Sequence, residues 1–491
     1  MKLFKLICLF VALVSSFAFC AESKIPQQYT NSKVFVNLGD YAKGDGSDET
    51  EGIQKAFDAL VSLKKNWKPH LDGYPHRKKR GVLWIPSPAK FYGFSRTIKV
   101  YEKWNVEIKC ETPSIPAMQI DPYFVWLGPD KGTMFNFNYC GAINVENLSM
   151  SGRGKHVTGI MVGQENQMHG FFKLSSFSQL YISDVAVGMR LGGNPNNGAD
   201  IAVNSYRDVT INNFSEIGLI GSSGNLATQT FINLSLSAGV GAKHGVAMYG
   251  GQIVLMNSCL GGGPSKVSGA AVAVFSGGIN IYGCWSEWRG PFLYGNPQCP
   301  QNQSRRVDSA ARYSTILQGI QHYPGAETQF WKIPGSKKEK PESENPVPIS
   351  IDWDRPTPLT LVNCSFFGGV KLGKVGQSSI ISIGTTFSNR DGLRFCGEGI
   401  ERYGRLVQIG TLASGTRDVV DPYVIDRRNT PGTAAPTEGV WKKGDRILNT
   451  DPNPSVSAKA YAGWICVEAG EPGMWAPYGK IGEACVNTES E

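Results

Sequence analysis

Residues 209–234, VTINNFSEIGLIGSSGNLATQTFINL, carry the pattern that decides the fold. An apolar residue, any residue and a second apolar residue occur at 209–211 and again at 232–234. The same triplet recurs along the middle of the chain at 148–150, 180–182, 254–256, 279–281, 359–361 and 381–383. Copies start 22 to 32 residues apart, except for one gap of 80 residues after 279. A period of about 20–30 residues built from short strands predicts a coiled parallel β-solenoid.

The segment before the repeats predicts one helix that caps this coil. Residues 38–60, LGDYAKGDGSDETEGIQKAFDAL, begin with Gly and Asp, which are typical of turns. Ile53, Ala56, Phe57 and Leu60 then follow at the three- and four-residue spacing of an apolar helix face. Ser47 or Asp48 is the expected N-cap. Residues 81–100, GVLWIPSPAKFYGFSRTIKV, start with a predicted buried strand.

These two stretches resemble the N-terminal signature of the pectate-lyase-like superfamily, of the kind seen in rhamnogalacturonases and epimerases. The resemblance implies an all-β fold, a single-stranded right-handed parallel β-helix with an N-terminal capping helix. It does not carry over a single catalytic residue, because the catalytic motifs of polygalacturonases, classical pectate lyases and mannuronan epimerases are absent from the sequence. Superfamily membership therefore predicts the fold and leaves the chemistry open.

The chain is expected to have three parts. Residues 1–21 resemble an export signal, with Lys2 and Lys5 before an apolar run at 6–14 and a small-residue cleavage site at 16–18 or 18–20. Residues 30–420 form the predicted β-helix, with a long insertion at 285–358. Residues 421–491 resemble the small C-terminal β module of phage tail fibres, which caps the coil, trimerises it or holds glycan. A secreted, periplasmic or cell-surface protein is therefore expected, and a lipid anchor at Cys20 is left open.

Cysteine positions predict packing and not metal binding. Cys259, Cys284 and Cys364 each fall five residues after the start of a triplet, which predicts a ladder of small buried side chains. Cys466 and Cys485 are expected either to form a disulfide with each other or to stay unpaired. No Cys or His spacing typical of zinc occurs, so no cofactor is expected. Calcium, held by scattered Asp and Asn oxygens, remains the alternative.

Charge and hydropathy indicate the class of partner. The formal net charge is +8, which favours an acidic partner. No apolar run after the leader is long enough for a transmembrane segment, and no nucleic-acid-binding module is recognisable. A polysaccharide, anionic in character, is the expected partner, and the oligomeric state, monomer or trimer, is left open.

The long insertion is where substrate contacts are expected, because loops on a rigid scaffold concentrate binding groups. It is rich in aromatic and basic residues. The candidate substrate-binding residues are Trp288, Arg305, Arg306, Arg312, His322, Tyr323 and Trp331. Trp285 is expected to lie in the core.

The candidate catalytic residues are chosen by position after a strand, where their side chains reach the groove. Glu287 and Arg289 stand two residues apart and share a face if the chain stays extended. The remaining candidates are Glu216, His244 and Asp208. A rim salt bridge is the alternative for Glu287 and Arg289, and a structural hydrogen bond is the alternative for His244.

Two kinds of function fit this sequence. The first is a polysaccharide lyase or glycoside hydrolase that acts on an acidic glycan. The second is a non-catalytic glycan-binding or adhesion protein similar to a tailspike. A lyase needs a base and a cation beside the uronate carboxylate, whereas a hydrolase needs two carboxylates flanking one bond.

Overall fold

The computed structural model describes residues 34–60, 81–111, 122–163, 171–193, 200–223, 225–262, 269–296, 314–323, 349–355, 357–367, 369–372, 379–388, 405–409, 412–414, 424–425, 430–438, 441, 443–453 and 460–481. The predicted export signal, Cys485, Arg305, Arg306, Arg312 and Trp331 lie outside these residues. The predicted boundary between the β-helix and the C-terminal module, at 420 and 421, also lies outside the described residues.

A 28-stranded sheet winds through the described residues. Its strands are β1 Val34–Asn37, β2 Asp45–Asp48, β3 Gly81–Ile85, β4 Phe91–Phe94, β5 Ile98–Tyr101, β6 Trp104–Cys110, β7 Phe124–Trp126, β8 Gly132–Asn138, β9 Cys140–Glu146, β10 Ser149–Val162, β11 Phe171–Lys173, β12 Ser176–Leu191, β13 Asp200–Phe214, β14 Ile217–Gly221, β15 Asn225–Ala238, β16 His244–Gly261, β17 Val272–Glu287, β18 Leu293–Gly295, β19 Thr315–His322, β20 Ile349–Trp353, β21 Leu359–Val362, β22 Ser365–Phe367, β23 Gly369–Leu372, β24 Ser379–Ile383, β25 Thr386–Ser388, β26 Arg405–Ile409, β27 Leu412–Ser414 and β28 Val424–Ile425. A separate four-stranded sheet contains β29 Thr430–Gly432, β30 Arg446–Asn449, β31 Tyr461–Glu468 and β32 Met474–Lys480.

Parallel pairing between successive coils defines the architecture. Leu180 of β12 pairs with Val209 of β13, and Val209 pairs with Leu234 of β15. Leu255 of β16 pairs with Ile281 of β17 in the same parallel sense. The predicted parallel β-helix is therefore confirmed, with a continuous column of buried apolar side chains inside the coil.

The triplets do not all lie on one face of the coil. Leu180 and Val209 stack with Leu234, whereas Leu255 and Ile281 stack with Phe231 on a neighbouring face. The triplets at 232–234, 254–256 and 381–383 therefore do not align residue by residue with the triplets of the preceding coils. Met256 and Ile383, the last residues of two of them, are exposed. The reason is that apolar–any–apolar alternation occurs on every face of a β-helix, so the pattern alone does not specify the face.

The 285–358 insertion contains further strands of the coil. β18, β19 and β20 all pair within the main sheet, and Thr315 and Leu317 of β19 face Leu359 and Leu361 of β21. Thr315 is fully buried at a position where the other coils have an apolar residue. This threonine is why the sequence pattern missed a coil and made the insertion look longer than it is.

One corner of the coil is built from residues in the left-handed backbone region, which we call the Asn corner. Its members have φ between +50° and +65° and follow one another in register: Asn147, Gln179, Asp208, Asn233, Asn257, Gly283, Gly319, Asn363 and Gly384. Asn, Asp and Gly adopt this conformation most readily. The amide of Asn233 donates to Asp208 Oδ1 at 2.8 Å.

The Asn corner also reverses which side chains face inward. In β17, Ile279 and Ile281 are buried, Gly283 turns the chain, and then Cys284 points in while Trp285 points out. The same shift at Asn257 places Cys259 outside. The expected cysteine ladder is therefore wrong for Cys259, whereas Cys284 and Cys364 are buried and lie on either side of Ile320.

A second corner, which we call the Val corner, uses residues that rarely adopt positive φ. Ala142, Leu174, Val203 and Thr228 have φ between +51° and +56°. Leu174 and Val203 are also more than half exposed. A branched side chain in the left-handed region costs about 1–2 kcal/mol.

Buried amides support the Val corner from inside. Gln229 is fully buried, and its Nε2 donates to the carbonyls of Ile201 at 3.0 Å and Ala227 at 2.7 Å. Its Oε1 accepts from Asn204 Nδ2 at 3.1 Å and from the Tyr206 hydroxyl at 3.3 Å. Gln229 therefore connects two backbone carbonyls with the side chains of Asn204 and Tyr206 inside the coil.

Val203→Asn is expected to raise the free energy of unfolding by about 1 kcal/mol, because Asn tolerates the left-handed backbone and little apolar burial is lost. Urea unfolding of the variant measures the change. Val240→Asn is the matched control, since Val240 is 72% exposed and is not among the residues with positive φ. It should change stability by less than about 0.5 kcal/mol. A loss of stability in Val203→Asn would show that the corner is unstrained.

The two ends of the coil are closed differently. At the first end, helix α1, Thr50–Asp58, buries Ile53, Ala56 and Phe57 as predicted. The N-cap is Glu49 and not the expected Ser47 or Asp48, although Asp48 Oδ1 accepts a hydrogen bond from the Thr50 backbone N–H at 3.1 Å. Lys103 Nζ donates to the Leu60 carbonyl beyond the end of the helix. At the other end, β28 pairs antiparallel to β26.

Candidate functional site

An exposed aromatic pair stands beside a carboxylate at the end of β17. Trp285 is 44% exposed and Tyr323 is 45% exposed, with their ring centroids 5.2 Å apart. The Trp285 indole Nε1 donates a hydrogen bond to Glu287 Oε1 at 3.2 Å. Large aromatic side chains held together at the surface of a folded protein are typical of binding sites.

Trp285 and Trp288 have the opposite positions from those expected. Trp285, expected in the core, is exposed because the Asn corner shifts the alternation of β17. Trp288, expected to bind substrate, is fully buried, and its Nε1 donates to the Gly269 carbonyl at 2.8 Å. Its ring stacks near Phe214, with centroids 6.5 Å apart. Trp288 therefore anchors the turn after Glu287 and does not face the solvent.

His322 was also expected to bind substrate, and it is buried with 1% exposure. Its Nδ1 lies 3.2 Å from Ser286 Oγ. Burial lowers the pKa of His322 to about 4, so the imidazole is neutral near pH 7. We therefore correct this assignment, because a side chain sealed beneath the turn does not reach a ligand on the surface.

A second polar cluster surrounds Glu216. Its Oε1 accepts a hydrogen bond from Lys243 Nζ at 3.3 Å and lies at the same distance from His156 Nε2. Ala186 lies on the coil between Glu216 and His156, since the Glu216 backbone N–H donates to the Ala186 carbonyl at 2.9 Å. This small residue lets His156 reach across one coil. The cluster brings a carboxylate, an imidazole and an ammonium group together at the surface.

Sequence reasoning missed His156. The residue lies inside β10, away from the end of any predicted strand. The strand register is the signal that could have found it. Lys155 pairs with Val185, so His156 lies beside Ala186, and Glu216 lies beside Ala186 on the next coil. Reading that register requires the positions of the corners, which the triplets do not give.

His244 lies next to this cluster but is held by the backbone. Its Nδ1 accepts from the Ala270 N–H at 3.2 Å, and its ring centroid lies 5.9 Å from that of Phe275. Burial lowers the pKa of His244, whereas the Ala270 carbonyl oxygen, 3.3 Å from the same Nδ1, opposes this shift because it favours the protonated ring. The backbone N–H groups of both Lys243 and His244 donate to the Glu216 carbonyl. Proton transfer by His244 stays a prediction.

Asp208 is reassigned from the catalytic candidates to the Asn corner. Its carboxylate accepts the Asn233 amide, and its φ of 54° is that of its neighbours in register. Asp184 has the same kind of role at another corner, accepting from Ser151 Oγ and Asn213 Nδ2. A carboxylate that joins neighbouring coils in this way stabilises the turn.

Glu287, Arg289 and the Glu216 cluster occupy one bend of the coil, which we call the site corner, residues 184–186, 213–216, 239–243 and 287–290. Asn212, Ser237, Gly261 and Glu287 pair successively just before it. At about 4.8 Å per strand, the three steps separate the coils of Glu216 and Glu287 by about 14 Å. The carboxylates of glycoside hydrolases lie about 5–9.5 Å apart. These two glutamates therefore do not act together on one glycosidic bond.

Within the described ranges, no group of three or more His, Cys, Asp and Glu side chains is arranged to hold a metal ion. Of the helical residues that the structure describes, none belongs to a helix with the length and hydropathy needed to cross a bilayer.

Comparison with known proteins gives similarity of fold only. No protein-family model matches the chain, and no curated protein matches it in sequence. The solved structures similar to it are right-handed β-helix proteins. The catalytic unit of the GH87 α-1,3-glucanase from Streptomyces thermodiastaticus strain HF3-3 is 13% identical, with a TM-score of 0.43, over 79% of this chain and 70% of the glucanase chain.

Two further structures show the same level of similarity. The gp42 tailspike of Acinetobacter phage vb_AbaP_AS12 is 12% identical, with a TM-score of 0.43, over 94% of this chain and 85% of the tailspike. The A-module of the Azotobacter vinelandii mannuronan C-5 epimerase AlgE6 is 13% identical, with a TM-score of 0.40, over 78% of this chain and 100% of the module. Such distant similarities transfer no activity and no site residue to this chain.

Proposed function

We propose that this chain is an exported enzyme that degrades an acidic polysaccharide along the outer face of its β-helix. The observation that carries the proposal is the exposed Trp285–Tyr323 pair with the Glu287 carboxylate hydrogen-bonded to the indole. Flat aromatic faces suit sugar rings, which are apolar on their faces and polar at their edges. A long stack of coils provides a surface matched to a chain of sugars.

Cations at the site corner favour an acidic glycan. Arg289 follows Glu287 by two residues, and Lys243 lies at the same bend two coils away. A uronate carboxylate placed there would be neutralised, which lowers the pKa of the adjacent C–H group. Glu287 or His156 is then the candidate base that removes the proton. The separation of Glu216 and Glu287 argues further for a lyase over a hydrolase that uses these two residues.

A panel of plant, algal and host glycans tests this proposal. The purified mature protein is incubated with each glycan, and both new reducing ends and the ultraviolet absorbance of unsaturated uronates are followed. Reducing ends with absorbance are expected and indicate a lyase, whereas reducing ends alone would indicate a hydrolase. Retention of a glycan without cleavage would favour the non-catalytic adhesion protein. If no glycan is either cleaved or retained, the proposal fails.

A further inference from the structure

The turn that presents Glu287 is fixed from beneath by three buried side chains. Ser286 and His322 are almost completely buried, and Trp288 is fully so. Glu287 lies between Ser286 and Trp288 in the chain, so both of its neighbours point into the protein. The orientation of the Glu287 carboxylate therefore depends on how these side chains are held.

The hydrogen bonds run in one consistent direction. The Trp288 backbone N–H donates to Ser286 Oγ at 3.3 Å. Ser286 Oγ lies 3.2 Å from His322 Nδ1, and we infer that the hydroxyl donates to this nitrogen, because Ser286 Oγ already accepts from Trp288. The backbone of Gly290, the last residue of the turn, also acts on the imidazole, and it raises the pKa of His322 against the larger effect of burial, as a carbonyl acceptor does. A neutral imidazole satisfies both requirements, because it accepts at one nitrogen and donates at the other.

Tyr323 is connected to the same turn through the backbone. It directly follows His322, and its N–H donates to the Ser286 carbonyl at 2.8 Å. The Trp285 ring precedes Ser286 in the chain and contacts the Tyr323 ring. One buried histidine thus connects the carboxylate-bearing turn to the strand that carries the second aromatic ring.

We propose that His322 is a positioning residue that fixes Glu287 and the Trp285–Tyr323 pair in the arrangement that receives a sugar ring. This inference rests on the proposed function for its ligand, whereas the fixing of the turn is a property of the chain itself. No other side chain type supplies an acceptor and a donor with this spacing. Asn at 322 offers an acceptor near the Nδ1 position, Gln offers a donor near the Nε2 position, and Phe offers neither.

The test compares His322→Phe, His322→Asn and His322→Gln with wild type. Cleavage of the glycan identified by the panel is expected to fall about 10- to 100-fold in His322→Phe, as is usual when a reacting group is misplaced by about 1 Å. The cleavage rates of His322→Asn and His322→Gln should lie between those of wild type and His322→Phe. If His322→Phe does not fold, the cleavage rates of His322→Asn and His322→Gln test the proposal, because each variant loses one of the two hydrogen bonds.

A second readout does not need the glycan. Cys259 is exposed and pairs in register with Trp285, so its thiol lies beside the aromatic pair. Its rate of reaction with a thiol reagent, followed by peptide mapping and mass spectrometry, should rise several-fold in His322→Phe. If the panel fails for wild type but this change occurs, the proposed function is lost and the fixing of the turn still holds.

Phe366→Leu is the matched control. Phe366 is buried, pairs in register with His322 and packs against Phe292, and its side chain has no hydrogen-bonding group. It should lower the melting temperature while leaving Cys259 reactivity and glycan cleavage unchanged. Equal effects of Phe366→Leu and His322→Phe on both readouts would reduce His322 to an ordinary core residue. Wild-type cleavage and wild-type Cys259 reactivity in His322→Phe would overturn the proposal outright.

Discussion

Glu287→Gln is expected to abolish glycan cleavage, with a fall in kcat of at least about 100-fold, while leaving the fold and glycan binding intact. An amide neither removes nor supplies a proton at the reacting centre, and such proton transfer typically contributes about 10²–10⁴-fold. The glutamine oxygen still accepts the Trp285 indole N–H, so the aromatic pair keeps its place. Initial rates on the glycan identified by the panel, with binding measured separately, give the result.

Two further variants define what this result means. Glu438→Gln, in the segment beside β29, removes a carboxylate far from the site corner in sequence and should leave the rate unchanged. Glu216→Gln removes the carboxylate that joins His156 and Lys243. A wild-type rate in Glu287→Gln, together with loss of activity in Glu216→Gln, would move the chemistry to the His156 cluster.

Gln229→Met is expected to lower the free energy of unfolding by about 3 kcal/mol or more. Methionine has a similar volume, so the loss comes from hydrogen bonding and not from a cavity. The change removes the Gln229 amide from the Tyr206 hydroxyl and from two backbone carbonyls, whereas Asn204 Nδ2 keeps its hydrogen bond to the Phe172 carbonyl. Each buried polar group left unsatisfied costs about 1–3 kcal/mol. Urea unfolding followed by circular dichroism measures the difference.

Gln321→Met provides the comparison for that prediction. Gln321 lies on β19 with its side chain exposed, so the same replacement should change stability by less than about 0.5 kcal/mol. If both variants unfold at the same urea concentration, the buried amide does not stabilise the Val corner, and the strain of Val203 must be balanced elsewhere.

The fold was predictable because its signal is repeated. Triplets at 180–182 and 209–211 pair in register in the structure, and the capping helix buries the apolar face expected of it. Period and cap together specify a parallel coil even where individual copies are assigned to the wrong face. Repetition makes such a prediction tolerant of single errors, such as the threonine that hid β19.

The site was harder to predict because it depends on corners. One left-handed residue, Gly283, decides that Trp285 is outside and Trp288 inside, and nothing in the apolar pattern shows where the chain turns. His156 and Glu216 are 60 residues apart in the sequence. They come together because their strands are only two spacings apart along the coil, which is about 10 Å. Glu287 was found because it ends a strand directly, which is a local property of the sequence.

The closing of the two ends has a consequence for the protein at high concentration. Parallel strands stacked in register present, at each open end, the same template on which fibrils elongate. Among the described residues, helix α1 packs on β4 and β5 at the first end, and β28 runs against the direction of β26 at the other end, so the edge of β26 does not present a parallel template. An antiparallel strand at this position interrupts the parallel stacking and so opposes end-to-end addition of a second molecule at β26.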